Sequence, residues 1–260
     1  MIGRQNRPAM LAAHLRRMQW LEGRLRKPLR YEFLRLYTVV ARALQTDGIV
    51  AADAAQFGHL YAVETLLRHH LARAAQTIGG RLLTELQRLV GQKASFEDLS
   101  FNKRIREWLQ GPALSKVAQG ISKRTREQIR KIIQRGVSRG QGVEAIARNI
   151  RRLAPTISAY RAHTIARTEV HNASEWASDQ AARSVGIPEM KREWVAVADN
   201  RTRDEHRLAD GQVRGMDEYF EFKDANGVFM YRLLYPGDET GPPGGVINCR
   251  CSLAFIPPED

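Results

Sequence analysis

The chain has 260 residues, 43% of them hydrophobic and 27% charged, which is enough material for one large domain or two ordinary ones. No apolar run approaches the roughly 20 residues of a membrane-spanning helix, and the first residues lack the apolar core of a secretory signal, so we expect no export by that route. Two cysteines cannot staple a chain of this size, which excludes a disulfide-built extracellular domain and fits a reducing cytoplasm.

Positive charge is concentrated in the first part of the chain. The 41 Lys and Arg residues exceed the 28 Asp and Glu residues, for a net charge of +13. Residues 1–160 contribute +18 and residues 161–260 contribute −5. A basic excess confined to one region favours contact with a polyanion, most obviously nucleic acid. The alternative is that arginine-rich helices only keep the protein in solution.

Helical periodicity dominates the first 110 residues. Pro28 is expected to break or kink the first helix, and "TDGIVAAD" (46–53) is expected to connect it to the next. That second helix is predicted from His59 to about Ile78, just before two glycines. "GQKASFEDLS" (91–100) is predicted to be a loop.

A long basic helix is predicted to begin at Pro112, because proline suits the first turn of a helix. The glycines of "RGVSRGQG" (135–142) end it, and a short helix follows that Pro155 is expected to stop. Thr156 is expected to cap a further helix that ends near Gly186. The candidate DNA contacts lie on the long basic helix: Lys123, Arg124, Arg126, Arg130, Lys131 and Arg135.

After Pro188 the hydrophobic period changes to that of strands. "REWVAVAD" (192–199) is predicted to be a strand. Residues 218–222 and 228–232 flank Asn226-Gly227, which is a strong hairpin signal.

The predicted fold class is therefore α+β, with a mainly helical basic body followed by a small C-terminal module that has a short antiparallel sheet. We expect a helical basic region over residues 1–110 and the module over residues 111–260. Within the module, helices are expected over 112–186, and the small sheet and its loops over 190–256.

Both cysteines lie close together near the C-terminus, at Cys249 and Cys251. A structural zinc site takes four ligands from cysteine and histidine, and His206 is the best third ligand. The fourth would have to come from one of three side chains: His171, Asp199 or Asp210. The alternatives are that the cysteines are small buried packing residues beside His206, or that they form a strained disulfide.

Carboxylates near His206 raise a second hypothesis, a metal-dependent nuclease or other hydrolase at the segment from Asp199 to His206. Glu169 and Asp204 would join that site. Against this hypothesis, the sequence has no phosphate-binding loop, no H-E-x-x-H and no nucleophile elbow.

Glu169 lies in the middle of a predicted helix. If its face packs on the sheet, the buried carboxylate needs a partner, and Arg201 or Arg250 would supply a bidentate guanidinium. On a solvated face it would need none.

Three segments carry a family resemblance: "IARTEVHNASEWA" (165–177), "DNRTRDEHRLADGQV" (199–213) and "YPGDETGPPGGVINCRC" (235–251). Their order and spacing resemble the phage Mu F-like head morphogenesis family, over about residues 110–256. The resemblance implies a minor capsid protein and not an enzyme. Such a protein sits inside the phage head near the portal, in a few copies, and assists head assembly or DNA delivery.

The resemblance also implies the partners and the place of the protein. These are the portal protein, the major capsid or scaffold protein, and double-stranded DNA bound without sequence preference. No membrane and no small-molecule substrate is implied. The protein would reside in the interior of the virion head, and in the host cytoplasm during assembly.

The chain departs from the family at one motif. Many relatives carry T-C-x-x-C where this chain has Thr202 to His206, so that Arg203 and His206 stand at the two cysteine positions. Three candidate metal ligands remain: His206, Cys249 and Cys251. A structural zinc ion is the one candidate cofactor.

Overall fold

The computed structural model describes residues 7–92 and 99–258. Within them the chain forms seven helices and five short strands, which confirms the α+β fold class. In chain order they are α1 (Arg7–Ala54), α2 (His59–Leu89), α3 (Leu99–Gln110), α4 (Pro112–Ser138), α5 (Val143–Val185), β1 (Lys191–Val195), α6 (Asp204–Leu208), β2 (Val213–Gly215), β3 (Phe220–Lys223), β4 (Phe229–Leu233), α7 (Pro243–Val246) and β5 (Ser252–Ile256). None of the described helices is both long and apolar enough to cross a lipid bilayer. Most of the loop predicted at 91–100 lies outside the described residues.

The strands form two small antiparallel sheets. β1 lies between β2 and β5 in a three-stranded sheet, with Trp194 opposite Leu253. β3 and β4 form a hairpin around Asn226-Gly227, as predicted. The strand predicted over 192–199 ends earlier, at Val195, because the next backbone N–H, of Ala196, donates to the Asp210 carboxylate (2.7 Å) and not to a strand.

Proline does not end the helices where the sequence suggested. α1 continues through Pro28 and α5 through Pro155, so the predicted stop at Pro155 and the Thr156 cap are wrong. Proline removes one helical hydrogen bond, and buried side chains on both sides of Pro155, Ala154 and Ser158, keep the helix packed. α1 instead departs from helical geometry at Gly48, with φ 82° and ψ −168°, inside the predicted connection at 46–53.

The helix predicted to end near Ile78 continues to Leu89. A Cβ atom added at Gly79 would lie 2.7 Å from the Cβ of Ala177 and 2.7 Å from the ring of Phe101. Glycine at this position therefore allows α2, α3 and α5 to approach closely and does not terminate α2.

The chain forms two compact units, each built from separate stretches. The sheet-containing unit comprises the described residues of Met1–Leu21, Leu71–Leu109 and Arg167–Asp260. The helical unit comprises Glu22–His70 and Gln110–Ala166. Its core joins three helices through residues that include Leu36, Tyr37, Val40, Ile129, Ile146 and Ile150. The module boundary at residues 110 and 111 stays a prediction.

The excess positive charge lies almost entirely in the helical unit. Its sequence carries 19 Lys and Arg residues against 7 Asp and Glu residues, a net charge of +12. The remaining sequence carries 22 basic and 21 acidic residues. The fold thus separates a strongly basic unit from a nearly neutral one.

Candidate metal centre

The structure brings the three candidate metal ligands together inside the sheet-containing unit. The Nδ1 atom of His206 lies 3.3 Å from Sγ of Cys251 and 3.6 Å from Sγ of Cys249. All three side chains are buried, and their ligand atoms lie within 4.8 Å of one another. We call these three residues the Cys–His cluster.

His206 reaches the cluster from the short helix α6. Backbone hydrogen bonds tie the end of this helical segment to β1, because Gly211 N–H donates to the Trp194 carbonyl and Trp194 N–H donates to the Gln212 carbonyl, both at 2.9 Å. On α6 itself, His206 is the buried residue, while Arg207 and Leu208 are exposed.

The cysteines are positioned by a turn after α7. Asn248 has a left-handed backbone, with φ 59°, and its N–H donates to Oγ1 of Thr168 at 3.1 Å. The Cys249 N–H then donates to the Val246 carbonyl at 3.1 Å. Both sulfurs therefore sit at the entry to β5, next to the helix that carries Thr168.

Tyr231 and Glu205 fix the orientation of the His206 ring. The Tyr231 hydroxyl donates to Oε1 of Glu205 (3.2 Å) and lies 3.1 Å from Nε2 of His206. Burial, with the Glu205 carboxylate adding, raises the pKa of Tyr231, so the hydroxyl keeps its single proton. Because that proton goes to Glu205, Nε2–H of His206 must be the donor to Tyr231. The lone pair of Nδ1 then points at the two sulfurs.

Aromatic rings enclose the cluster. Trp194 meets the His206 ring edge-on at 5.6 Å between centroids, and Phe222 lies 5.1 Å away. Phe222 also stacks on Tyr231 at 4.8 Å. A Cβ atom at Gly245 would lie 2.7 Å from the Tyr231 ring, so the backbone of α7 closes that side. These contacts keep water away from the sulfurs.

Both cysteines are free thiols that share hydrogen bonds. The hydrogen bond with Cys251 lowers the pKa of Cys249 well below its usual value against the opposing effect of burial, and hydrogen bonds with His171 and His206 lower it further. The hydrogen bond with Cys249, together with burial, raises the pKa of Cys251.

Of the three possible fourth ligands, His171 is the one beside the sulfurs. It is buried, and its interaction with the thiol lowers the pKa of Cys249. Its ring nitrogens do not join the three ligand atoms that lie within 4.8 Å of one another. Asp199 is instead engaged by Arg250, and Asp210 accepts the backbone N–H of Ala196.

Arg250 forms a bidentate ion pair, but with Asp199 and not with Glu169. The side chain of Arg201 is exposed, and only its backbone N–H bonds to Asp199 (3.0 Å). Within residues 7–92 and 99–258, no side chain forms an ion pair with Glu169. Burial, with the nearby Glu239 carboxylate adding, raises the pKa of Glu169 to about 7.

Asp199 and His206, at the two ends of the candidate hydrolytic segment, are engaged by other parts of the fold. The hydrogen bonds of Arg250 hold Asp199 ionised, with its pKa far below its usual value. Both ring nitrogens of His206 are engaged in the buried cluster, and Asp204 is exposed beside Arg207. General acid–base chemistry needs groups that can reach a substrate and exchange protons with it.

The candidate DNA contacts lie along α4 in the helical unit. Five of the six are exposed: Lys123, Arg124, Arg130, Lys131 and Arg135. Of these five, Arg130 pairs with Asp53 at 3.0 Å. The sixth, Arg126, is half-buried. The opposite side of α4, with Ile121, Ile129 and Ile133, is buried. The helix therefore presents a basic face, and its contact with DNA stays a prediction.

Residues 127–254 match the family model described as Phage Mu protein F like protein. This segment of the chain belongs to the Mu F-like family. The Mu F-like segment makes up about half of the sequence and contains the Cys–His cluster and the Asp199–Arg250 pair.

One curated protein is similar to the chain. The uncharacterized protein YqbB of Bacillus subtilis is 26% identical over 153 residues, which cover 58% of this chain and 47% of YqbB. The chain thus spans about half the length of that relative. No solved structure matches the chain significantly.

Proposed function

We propose that the chain is a minor head protein of a tailed phage, which assists assembly inside the head near the portal and contacts packaged DNA through its helical unit. The observation that carries the proposal is the Mu F-like match over residues 127–254. The family resemblance implies the head role, and the structure adds physical reasons for a structural rather than a catalytic function.

Residues of the family motifs form hydrogen bonds and an ion pair that connect distant parts of the chain. Asn248 of N-C-R-C donates to Thr168 of R-T-E at 3.1 Å, and Arg250 of N-C-R-C pairs with Asp199 of D-N-R-T-R. In P-G-D, the Asp238 carboxylate accepts the Leu234 N–H at 2.9 Å and is itself buried. These bonds between motif residues stabilise the fold, and a capsid component requires a stable fold.

The helical unit supplies the DNA contact. Its net charge of +12 and the basic face of α4 suit a polyanion with a regular charge spacing. Arginine and lysine on a helix surface contact phosphates without reading bases, so the binding is independent of sequence. The C-terminal stretch, which is acidic overall, faces the portal or a capsid or scaffold protein.

Removal of the gene from the phage that encodes the chain tests the head role. The expected result is a loss of DNA-filled, infectious particles that the full chain restores when it is supplied in trans. Normal yields of infectious particles without the protein would overturn the proposal.

Salt titration of the full chain on duplex DNA tests the DNA contact separately. We expect equal affinity for unrelated sequences of one length, and a steep fall in affinity between about 50 and 200 mM salt, because binding releases counterions. Absent or salt-insensitive binding would remove the DNA part and leave the head role standing.

A further inference from the structure

We propose that Cys249, Cys251 and His206 bind one zinc ion as a structural site, and that the ring of His171 moves in to supply the fourth ligand. Zinc binding can be measured on the isolated chain, so its test is independent of the proposed head role and DNA contact.

The spacing of the donor atoms fits tetrahedral zinc. Bonds of about 2.3 Å to sulfur and about 2.0–2.1 Å to nitrogen place a sulfur and a nitrogen about 3.5 Å apart around one tetrahedral ion. The observed separations from Nδ1 of His206 to the two sulfurs are 3.3 and 3.6 Å. Zinc can therefore enter between these atoms with little rearrangement.

The surroundings of His206 are those of a metal-bound imidazole. Such rings usually donate their second N–H to a fixed acceptor, which aims the other nitrogen at the metal. Here Nε2–H of His206 donates to Tyr231, and Tyr231 donates to Glu205. These two hydrogen bonds leave Nδ1 of His206 unprotonated and directed at the sulfurs.

His171 is the candidate for the fourth ligand. It lies on α5, is buried and interacts with Cys249, whereas Asp199 and Asp210 are engaged elsewhere. Its ring nitrogens lie outside the group of donor atoms within 4.8 Å of one another, so zinc binding would draw the ring closer. Four protein ligands leave no position for water or substrate, which distinguishes a structural zinc site from a catalytic one.

Charge and enclosure favour the metal over a cluster that is only hydrogen-bonded. Zinc displaces the two thiol protons, so two thiolates, two neutral imidazoles and Zn²⁺ form a centre with no net charge. A centre with no net charge can be buried among Trp194, Phe222 and Tyr231 at far lower cost than a charged one. The zinc would join α5, α6 and the entry to β5 at one point.

The first measurement is the metal content of the full chain, purified without chelators or a nickel column. Elemental mass spectrometry is expected to find close to one zinc per chain, either as purified or after the chain is loaded with zinc chloride and passed through a desalting column. Cobalt chloride added to the metal-free chain is expected to give the visible absorption of tetrahedral cobalt with thiolate ligands. A stoichiometry near zero after loading would overturn the proposal.

Variants assign the ligands. Cys249→Ser, Cys251→Ser and His206→Ala are expected to abolish stoichiometric binding, and His171→Ala to weaken it at least 10-fold. The control is His59→Ala, which removes a buried histidine of the helical unit and should bind zinc like the wild type. Full binding by either serine variant would overturn the site, and wild-type affinity in His171→Ala would overturn the fourth ligand.

A measurement on the wild-type chain tests the site even if a variant fails to fold. Alkylation of the two thiols in the zinc-loaded chain is expected to release one zinc ion for every two cysteines modified, as read by a chromogenic chelator. Modification of both thiols without release of zinc would contradict the proposal.

Discussion

Arg250 and Asp199 form two parallel hydrogen bonds, with Nη1 2.6 Å from Oδ2 and Nη2 2.7 Å from Oδ1. The two residues lie 51 positions apart in the chain, and their pairing fastens the loop after β1 to the turn that carries both cysteines. A planar guanidinium matches a carboxylate in this way, and a lysine ammonium does not.

Replacement of the Arg250 guanidinium tests the contribution of this ion pair to stability. Arg250→Lys is expected to lower the free energy of unfolding by about 1 kcal/mol, because one of two charge-assisted hydrogen bonds is lost at a partly solvated site. Urea unfolding followed by tryptophan fluorescence measures the change. The control, Arg201→Lys, alters an exposed side chain and should stay within about 0.5 kcal/mol of the wild type. Equal effects of the two variants would contradict the assignment.

Glu32 is expected to make the folding stability of the helical unit depend on pH. Burial opposes its ionisation, but hydrogen bonds from His59 (3.2 Å) and Arg35 (2.8 Å) outweigh burial and lower its pKa to about 2. A carboxyl whose pKa is lower in the folded state stabilises the fold above its unfolded pKa, about 4.3. That stabilisation is lost as the pH falls toward 2.

Glu32→Gln is therefore expected to lower the free energy of unfolding by about 2 kcal/mol at pH 7. The difference from the wild type should narrow as the pH falls from about 4.3 to about 2. Urea unfolding at several pH values measures this difference. The control is Glu64→Gln, because Glu64 pairs with the partly exposed Arg68. A difference that does not change with pH would refute the role of the ionised carboxyl.

Two helical glycines offer a matched pair of substitutions with opposite expected signs. At Gly79 a new Cβ would meet Ala177 and Phe101 at 2.7 Å, so Gly79→Ala should destabilise the chain by about 1–3 kcal/mol through overpacking. At Gly120 no atom beyond the adjacent backbone of its own helix lies within 4 Å of the new Cβ, so Gly120→Ala should stabilise the chain by about 0.5–1 kcal/mol. Thermal unfolding measures both. Stabilisation by Gly79→Ala would contradict the close helix approach.

Charge-matched variants test which unit binds DNA. Four exposed α4 residues changed to glutamine, namely Lys123, Arg124, Lys131 and Arg135, should weaken duplex binding and reduce the salt slope by about 3.6. The control removes the same charge from exposed residues of the sheet-containing unit: Arg106, Lys191, Arg201 and Arg207. Fluorescence anisotropy with one labelled duplex measures both sets. Equal weakening would show that net charge, and not the α4 face, sets the affinity.

Local signals predicted local structure well. Asn226-Gly227 predicted the hairpin because few residues adopt its turn geometry, and Pro112 predicted the start of α4. The helix ends predicted at Pro155 and just before Gly79 were wrong, because packing against other helices outweighs local propensity. The charge separation was visible in the sequence, but its assignment to the helical unit required the fold.

The candidate site was predictable in part. Cys249, Cys251 and His206 stood out because few side chains bind metals through sulfur or imidazole, and the spacing of the motifs linked them. No local pattern marked Tyr231, whose strand has mostly exposed neighbours, or selected His171 over the two aspartates. Such contacts depend on long-range pairing, as does the 2.9 Å hydrogen bond between His14 and Glu175.

The head role itself is tested most directly by quantitative mass spectrometry of DNA-filled heads purified from the phage that encodes the chain. We expect peptides of this chain to be recovered in a few copies per particle, alongside the portal and major capsid proteins. Purified, infectious particles without this chain would contradict it.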